Sequence, residues 1–142
     1  MGGRTGLPYR AVIVDLDRTL LRTDKTVSDY TLDVLRKWQE AGAALFAATA
    51  RPERAITEYT EVIRFRSVTT LNGARTVTPA AVLENTIRTG SAVSILLQLI
   101  SAEGMMISAE AENGIYANFE HPLWNPAVID DIERLPEREK IY

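Results

Sequence analysis

The sequence predicts an α/β fold with a parallel sheet, followed by a smaller α+β segment, on three observations. Apolar, β-rich runs alternate with helical patterns from Ala11 to Leu71. Each of these runs ends in polar residues, as strands do at the ligand edge of an open sheet. Further on, Asn113-Gly114 lies between two β-prone runs, the strongest local signal for a hairpin. Composition agrees with a globular chain. Its 142 residues are 46% apolar and 25% charged, with a net charge of -3, enough apolar material for a core and too little charge for disorder.

The first strand is read over Ala11–Leu16, apolar apart from Asp15, as in a strand covered on both faces. Asp24-Lys25-Thr26 marks a turn. Ser28 then caps a helix over 29–41, with Val34, Leu35, Trp38 and Ala41 on a buried stripe and Gly42 as its stop. Ala43–Thr49 is the second strand. Pro52 suits the first turn of a helix running to Ile63. Ser67–Leu71 is the third strand, closed by Asn72-Gly73, and right-handed crossovers make the three parallel. Thr76–Ile87 reads as a short hairpin or extended crossing, and a different module is expected from residue 87. In it, Ser91–Ala102 is a helix with Val93, Leu96, Leu97 and Ile100 on its apolar face, stopped by Gly104. Met105–Ala111 and Ile115–Phe119 pair across the Asn-Gly turn, with Met105 and Met106 filling the core. Pro126 begins a last helix that Pro136 ends, and 137–142 is a frayed tail. Trp38 is assigned to packing, and Trp124 to packing before the alternative of a substrate-facing cap residue.

Several function classes are excluded. Without cysteine there is no disulfide framework, thiolate metal site or thiol nucleophile, and a single His121 rules out a multi-histidine zinc site. Any metal takes oxygen ligands. The longest apolar runs fall far short of the roughly 18 residues of a membrane span, and the N-terminus makes a poor signal peptide. A cytoplasmic setting is expected, without membrane partners. Residues 1–75 carry a net +3 and residues 76–142 a net -6, which fits a first half that handles an anion. Chance distribution over solvated faces fits as well. No basic cluster with interleaved aromatics points to nucleic acid.

Chemistry concentrates where the first strands end. Asp15 and Asp17 straddle the end of the first, where a carboxylate can ligate a hard cation or attack an electrophile. The alternative is a pair of acids that merely end a strand and cap a turn. Thr49 ends the second strand, as a helix N-cap or as a donor to a phosphoryl oxygen. Arg51 can add charge-assisted bonds to an anion. Asn72 ends the third, on the same edge.

Asp15-Leu16-Asp17-Arg18-Thr19-Leu20-Leu21, Ala48-Thr49-Ala50-Arg51-Pro52 and Asn72-Gly73-Ala74 resemble, in order and spacing, motifs of the haloacid dehalogenase superfamily, and of its Cof-like sugar-phosphatase branch. The resemblance extends weakly through Gly114-Ile115-Tyr116. It implies a Rossmann-like core, incomplete and spanning 1–86, followed by the start of an α+β cap over 87–142. It further implies a Mg²⁺-dependent phosphohydrolase acting on a small phosphorylated metabolite. Asp15 would be phosphorylated, and Asp17 would protonate the leaving alcohol and then activate water. Thr49, Ala50, Arg51 and Asn72 would bind phosphate. The metal would be shared by the Asp15 carboxylate and the Asp17 carbonyl.

Two departures accompany the resemblance. Arg18 replaces the family's usual glycine, which tolerates positive φ. The lysine of the third motif and the aspartates of the fourth have no counterpart, and Asp130-Asp131, with no preceding glycine, is read as part of a cap helix. The expected function is thus a phosphohydrolase truncated and impaired as given. The alternatives are an inactive phosphate-binding or protein-interaction remnant and, more weakly, a receiver-like signalling module. Missing strands would leave Ala11–Val14 at an open sheet edge, favouring self-association.

Overall fold

The computed structural model describes residues 9–87, 89–122, 129–135 and 140–142, with the backbone alone at 89, 91–93, 100, 101, 103, 129 and 133. The chain divides into two compact units, Met1–Glu84 and Asn85–Tyr142.

The first unit is built on a five-stranded sheet of β1 (Ala11–Val14), β2 (Ala44–Ala48), β3 (Ser67–Thr70), β4 (Arg75–Val77) and β5 (Val82–Glu84), in that spatial order. β1, β2 and β3 are parallel, with Val14 opposite Ala47 and Ala48 opposite Thr69. β4 and β5 join antiparallel, so Thr76–Ile87 supplies the hairpin and the sheet is mixed. The order puts β1 at the edge. Ile13 there is 72% exposed, which corrects the expectation of a strand covered on both faces. An apolar run shows what a strand can bury, and only its neighbours decide what is buried.

α1 (Asp29–Glu40) starts as expected, with Ser28 Oγ accepting from the Thr31 N–H at 3.0 Å. Gly42, at φ 91°, stops it. None of its residues is buried, however, and Val34 is exposed. Its apolar side borders an open groove of about 850 Å³ shared with Val62 and Ile63. Trp38 is half-buried rather than core. The single helix expected from Pro52 to Ile63 is in fact two pieces. A 3₁₀ turn, Glu53–Ala55, is followed by α2 (Thr57–Val62), and Ile56 at φ -129° breaks the run. The break turns Ile56 and Tyr59 inward onto Leu16 and Leu21, the buried cluster of this unit.

The second unit holds α3 (Thr89–Glu103), ended by Gly104 at φ 61°. Of the apolar face expected on this helix, Leu96 packs against the second unit's own buried cluster around Ala109, Ala111 and Ile132, and the side chains of Val93 and Ile100 lie outside those described. β6 (Ser108–Glu110) and β7 (Ile115–Ala117) form the expected antiparallel pair, closed by Ala111 N–H to the Gly114 carbonyl at 2.8 Å. β6 is shorter than its apolar run, and beyond it the link passes to Asn118, whose N–H donates to the Ile107 carbonyl at 3.2 Å. The Asn118 Oδ1 accepts from Ile107 N–H at 2.8 Å and its Nδ2 donates to the Met105 carbonyl at 2.7 Å. Met105 and Met106, which precede β6, are exposed, not core fillers.

Asp130 and Asp131 lie in β8 (Ile129–Asp131), parallel to β7, and not in the helix expected there. Pairing with β7 outweighs local helical preference. The tail is not frayed at its end either. Ile141 bridges Ile87 and Ala111 and is 3% exposed, in a cluster with Ala109, Ala111, Ile132 and Leu135. The expectations for Trp124, Pro126 and Pro136 fall outside the described residues.

Candidate functional site

Where β1 ends, the chain makes a wide turn held by Leu20 N–H to the Asp15 carbonyl at 3.2 Å and Leu21 N–H to the Leu16 carbonyl at 2.8 Å. Leu16 and Leu21 anchor the turn, both buried against Ile56 and Tyr59. With Leu16 inside, Asp15 is exposed and Asp17 half-buried. Asp15 Oδ1 accepts from Leu16 N–H at 2.7 Å. Arg18 sits at φ 58°, ψ 12°, the left-handed region that costs a non-glycine residue about 1 kcal/mol or more. That backbone explains why a glycine would suit the position.

Asp17 is clamped by two cations. Arg51 approaches side-on, Nε to Oδ2 at 2.7 Å and Nη2 to Oδ1 at 2.8 Å. Lys25 Nζ donates to Oδ1 at 2.7 Å. The Arg51 bonds first, and that of Lys25 second, hold the Asp17 carboxyl far below the usual carboxylate range. Asp17 in turn raises the pKa of Arg51. Both cations are referred to Tyr59, whose hydroxyl donates to the Lys25 carbonyl at 2.9 Å. Its ring lies under the Arg51 guanidinium, 5.8 Å from the centroid.

The second and third strand ends meet the same segment. Thr49 N–H donates to the Thr69 carbonyl at 2.9 Å, and Leu71 N–H to the Arg51 carbonyl at 3.1 Å. Thr49 is 6% exposed, and its Oγ1 accepts from Arg51 N–H at 3.2 Å. It closes a local turn two residues long, and the helix cap considered for it belongs to Pro52. The Ala50 N–H has no partner among the described residues. Asn72 is exposed at φ 53°, and its side chain makes no hydrogen bond among them. The backbone joins the strand ends carrying Thr49 and Asn72, while Arg51 bridges to the first through Asp17. The sequence reading missed Lys25 and Tyr59. Tyr59 shares a helical spacing with Ile56 and Ile63 that reads as plain core, and nothing near Lys25 in sequence signals its reach.

The sequence pattern of the haloacid dehalogenase-like hydrolases matches residues 12–140. The chain belongs to that family. It is 34% identical over 68 residues to a 5-amino-6-(5-phospho-D-ribitylamino)uracil phosphatase of Bacillus subtilis, covering 47% of this chain and 25% of that one. A putative phosphatase of Haemophilus influenzae is 44% identical over 45 residues, 32% of this chain and 16% of its own. Among solved structures, a phosphatase of the same superfamily from Bacteroides thetaiotaomicron superposes with a TM-score of 0.68 at 24% identity, over 86% of this chain and 46% of that one. The likeness extends to the Cof-like sugar phosphatases, and the fold is the Rossmann-like one of the family, covered in part. The matched segments span a quarter or less of the curated relatives' length.

A magnesium ion accords with the donors present. The Asp15 carboxylate is exposed, is bonded only through Oδ1 among the described residues, and offers hard oxygen. Among those residues no three acidic or histidine groups converge. Magnesium usually keeps several waters and takes one or two carboxylates, so this is compatible with its habits.

Proposed function

We propose that the chain carries the nucleophile half of a Mg²⁺-dependent phosphohydrolase site for a small phosphorylated metabolite. The observation that carries this reading is the side-on pairing of Arg51, from the end of β2, with Asp17, from the end of β1. It brings an exposed carboxylate, a second carboxylate and an anion-binding cation to one sheet edge. The Asp15 carboxylate would attack phosphorus, and the bond to the leaving alcohol would break to give a phosphorylated aspartate. Asp17 in its protonated form would supply the alcohol's proton. As carboxylate it would then take a proton from the water that hydrolyses the aspartyl phosphate. The Thr49 hydroxyl, the Ala50 N–H, Arg51 and Asn72 would hold the phosphoryl oxygens. Mg²⁺, held by the Asp15 carboxylate and the Asp17 carbonyl, would offset the repulsion between carboxylate and phosphate. The unit from residue 85 onward is proposed as the start of a cap that sets specificity.

A second reading, phosphate binding without turnover, is favoured by the cations available. The lysines of the chain are Lys25, Lys37 and Lys140, so the two cations seen at the site, Arg51 and Lys25, are both engaged by Asp17. One missing group that stabilises the transition state commonly costs about 10²–10³ in rate. A steady-state phosphate-ester assay on the 142-residue chain separates the two readings. The expected outcome is turnover below about 1 s⁻¹, the lower end of ordinary enzymes, lost altogether in Asp15→Asn. Activity that survives Asp15→Asn refutes the assignment of the nucleophile.

A further inference from the structure

We propose that Lys25 and Arg51, both positioned by Tyr59, form a two-cation anion seat that Asp17 fills as an internal ligand until a phosphate group displaces it. The inference rests on the phosphohydrolase reading above and adds two residues to it. Three observations support it. The first is the manner of binding. Arg51 engages both Asp17 oxygens through Nε and Nη2, the same fork by which arginine takes a phosphate, while Lys25 adds a point charge to Oδ1. A carboxylate held this way occupies the place of two phosphoryl oxygens.

The second is charge. One carboxylate against two cations leaves a formal charge of +1 on the cluster. A phosphate monoester dianion would balance both cations. The Ala50 N–H, without a partner among the described residues and adjacent to Arg51 in the chain, offers a further donor to the incoming anion.

The third is that Arg51 is not held by Asp17 alone, and that the backbone carrying Lys25 is fixed apart from Asp17, whereas the Lys25 ammonium is bonded to Asp17. Lys25 lies at φ 67° in an exposed turn, and the buried Tyr59 hydroxyl fixes its carbonyl at 2.9 Å. Arg51 rests on the ring of the same tyrosine and donates to the Ala55 carbonyl at 3.4 Å. When the carboxylate leaves, Arg51 and the backbone of Lys25 therefore keep their places, and the Lys25 ammonium is within reach of the incoming anion. Displacement also frees Asp17 for proton transfer, so the acid–base group becomes available only when the site is occupied. Tyr59 is a positioning residue, acting through Lys25 and Arg51.

Inorganic phosphate, titrated calorimetrically into the full chain, tests the exchange. Asp17→Asn removes the competitor and should tighten phosphate binding about tenfold, a modest share of what a charge-assisted contact contributes. Lys25→Met should weaken it at least threefold. Tyr59→Phe keeps the ring under Arg51 and releases the Lys25 turn, so binding should weaken about threefold while the Lys25 amide exchanges faster. Unchanged or weaker binding in Asp17→Asn overturns the internal-ligand idea, yet leaves the phosphohydrolase reading intact if Asp15→Asn still abolishes hydrolysis. Faster exchange in Tyr59→Phe with unaltered phosphate affinity reduces Tyr59 to a structural residue and overturns its positioning role. If neither wild type nor any variant binds phosphate, this proposal and the reading beneath it both fall. Binding by Asp17→Asn alone supports the exchange, with the competitor winning in the native chain.

Discussion

At residue scale, two positions set the character of the site. Arg18 holds a left-handed backbone that its side chain disfavours, and the turn keeps it there because Leu16 and Leu21 are buried on either side. Arg18→Gly should relieve about 1–2 kcal/mol of strain, offset by about 0.5–1 kcal/mol of extra unfolded-state entropy. A net gain of several tenths of a kcal/mol is expected, visible as a higher urea midpoint at unchanged slope. A lower midpoint would show that Arg18 makes a contribution outweighing its strain. Tyr59 gives a pH signature. Burial first, and Glu58 second, push its phenol above the usual tyrosine value. The neutral form is thus favoured in the folded state. The resulting stability is complete below about pH 10 and declines as pH rises through the folded-state value. Between about pH 10 and 12 wild type should lose more stability than Tyr59→Phe, and parallel profiles would contradict the assignment.

Among the elements, the turn after β1 and the broken helix after β2 depend on one another. Leu16 and Leu21 meet Ile56 and Tyr59, with Leu20, Val27 and Val68 around them, and this small cluster sets how far Asp17 stands from Arg51. Ile56, 2% exposed, sits at the break between the 3₁₀ turn and α2. Ile56→Ala should cost about 2–4 kcal/mol through lost burial and the cavity left behind, and Ile56→Val about 1 kcal/mol. Urea unfolding followed by far-UV circular dichroism measures both. A cost below about 0.5 kcal/mol for the alanine variant, the range of surface substitutions, would mean that the cluster does not hold the two elements together. α1 behaves differently, since no residue in it is buried. Its local stability comes from the Ser28 cap and from the exposed Asp33 pairs with Arg36 and Lys37, and such pairs contribute little.

For the whole molecule, the open flank of β1 matters most. Among the described residues β1 pairs with β2 alone, and Ile13 is largely exposed on it. An apolar edge with free backbone donors and acceptors invites another strand. We expect the chain to self-associate through residues 11–14. Light scattering over a dilution series, read with amide exchange at those residues, tests this. A monomer at high micromolar concentration with slow exchange there would show the edge already covered. No helix among the described residues is long and apolar enough to cross a membrane.

How much of this was legible in the sequence follows from what acts locally. The strand–helix alternation, the Ser28 cap, the Gly42 and Gly104 stops and the Asn113-Gly114 hairpin are consequences of backbone preference and short-range hydrogen bonding, and the sequence alone determined them. The sharing of one C-terminal edge by the polar strand ends, where the site is proposed, follows likewise from the parallel pairing. Burial, by contrast, depends on neighbours distant in the chain. Ile13 and Val34 look like core and are exposed, and Ile141 looks like tail and is buried. Asp130 and Asp131 look helical and form β8, since pairing with β7 overrides a weak local signal. The clamp on Asp17 is of the same kind. Lys25 is eight residues away and Arg51 thirty-four, and the folding of the first turn onto α2 brings them to one carboxylate.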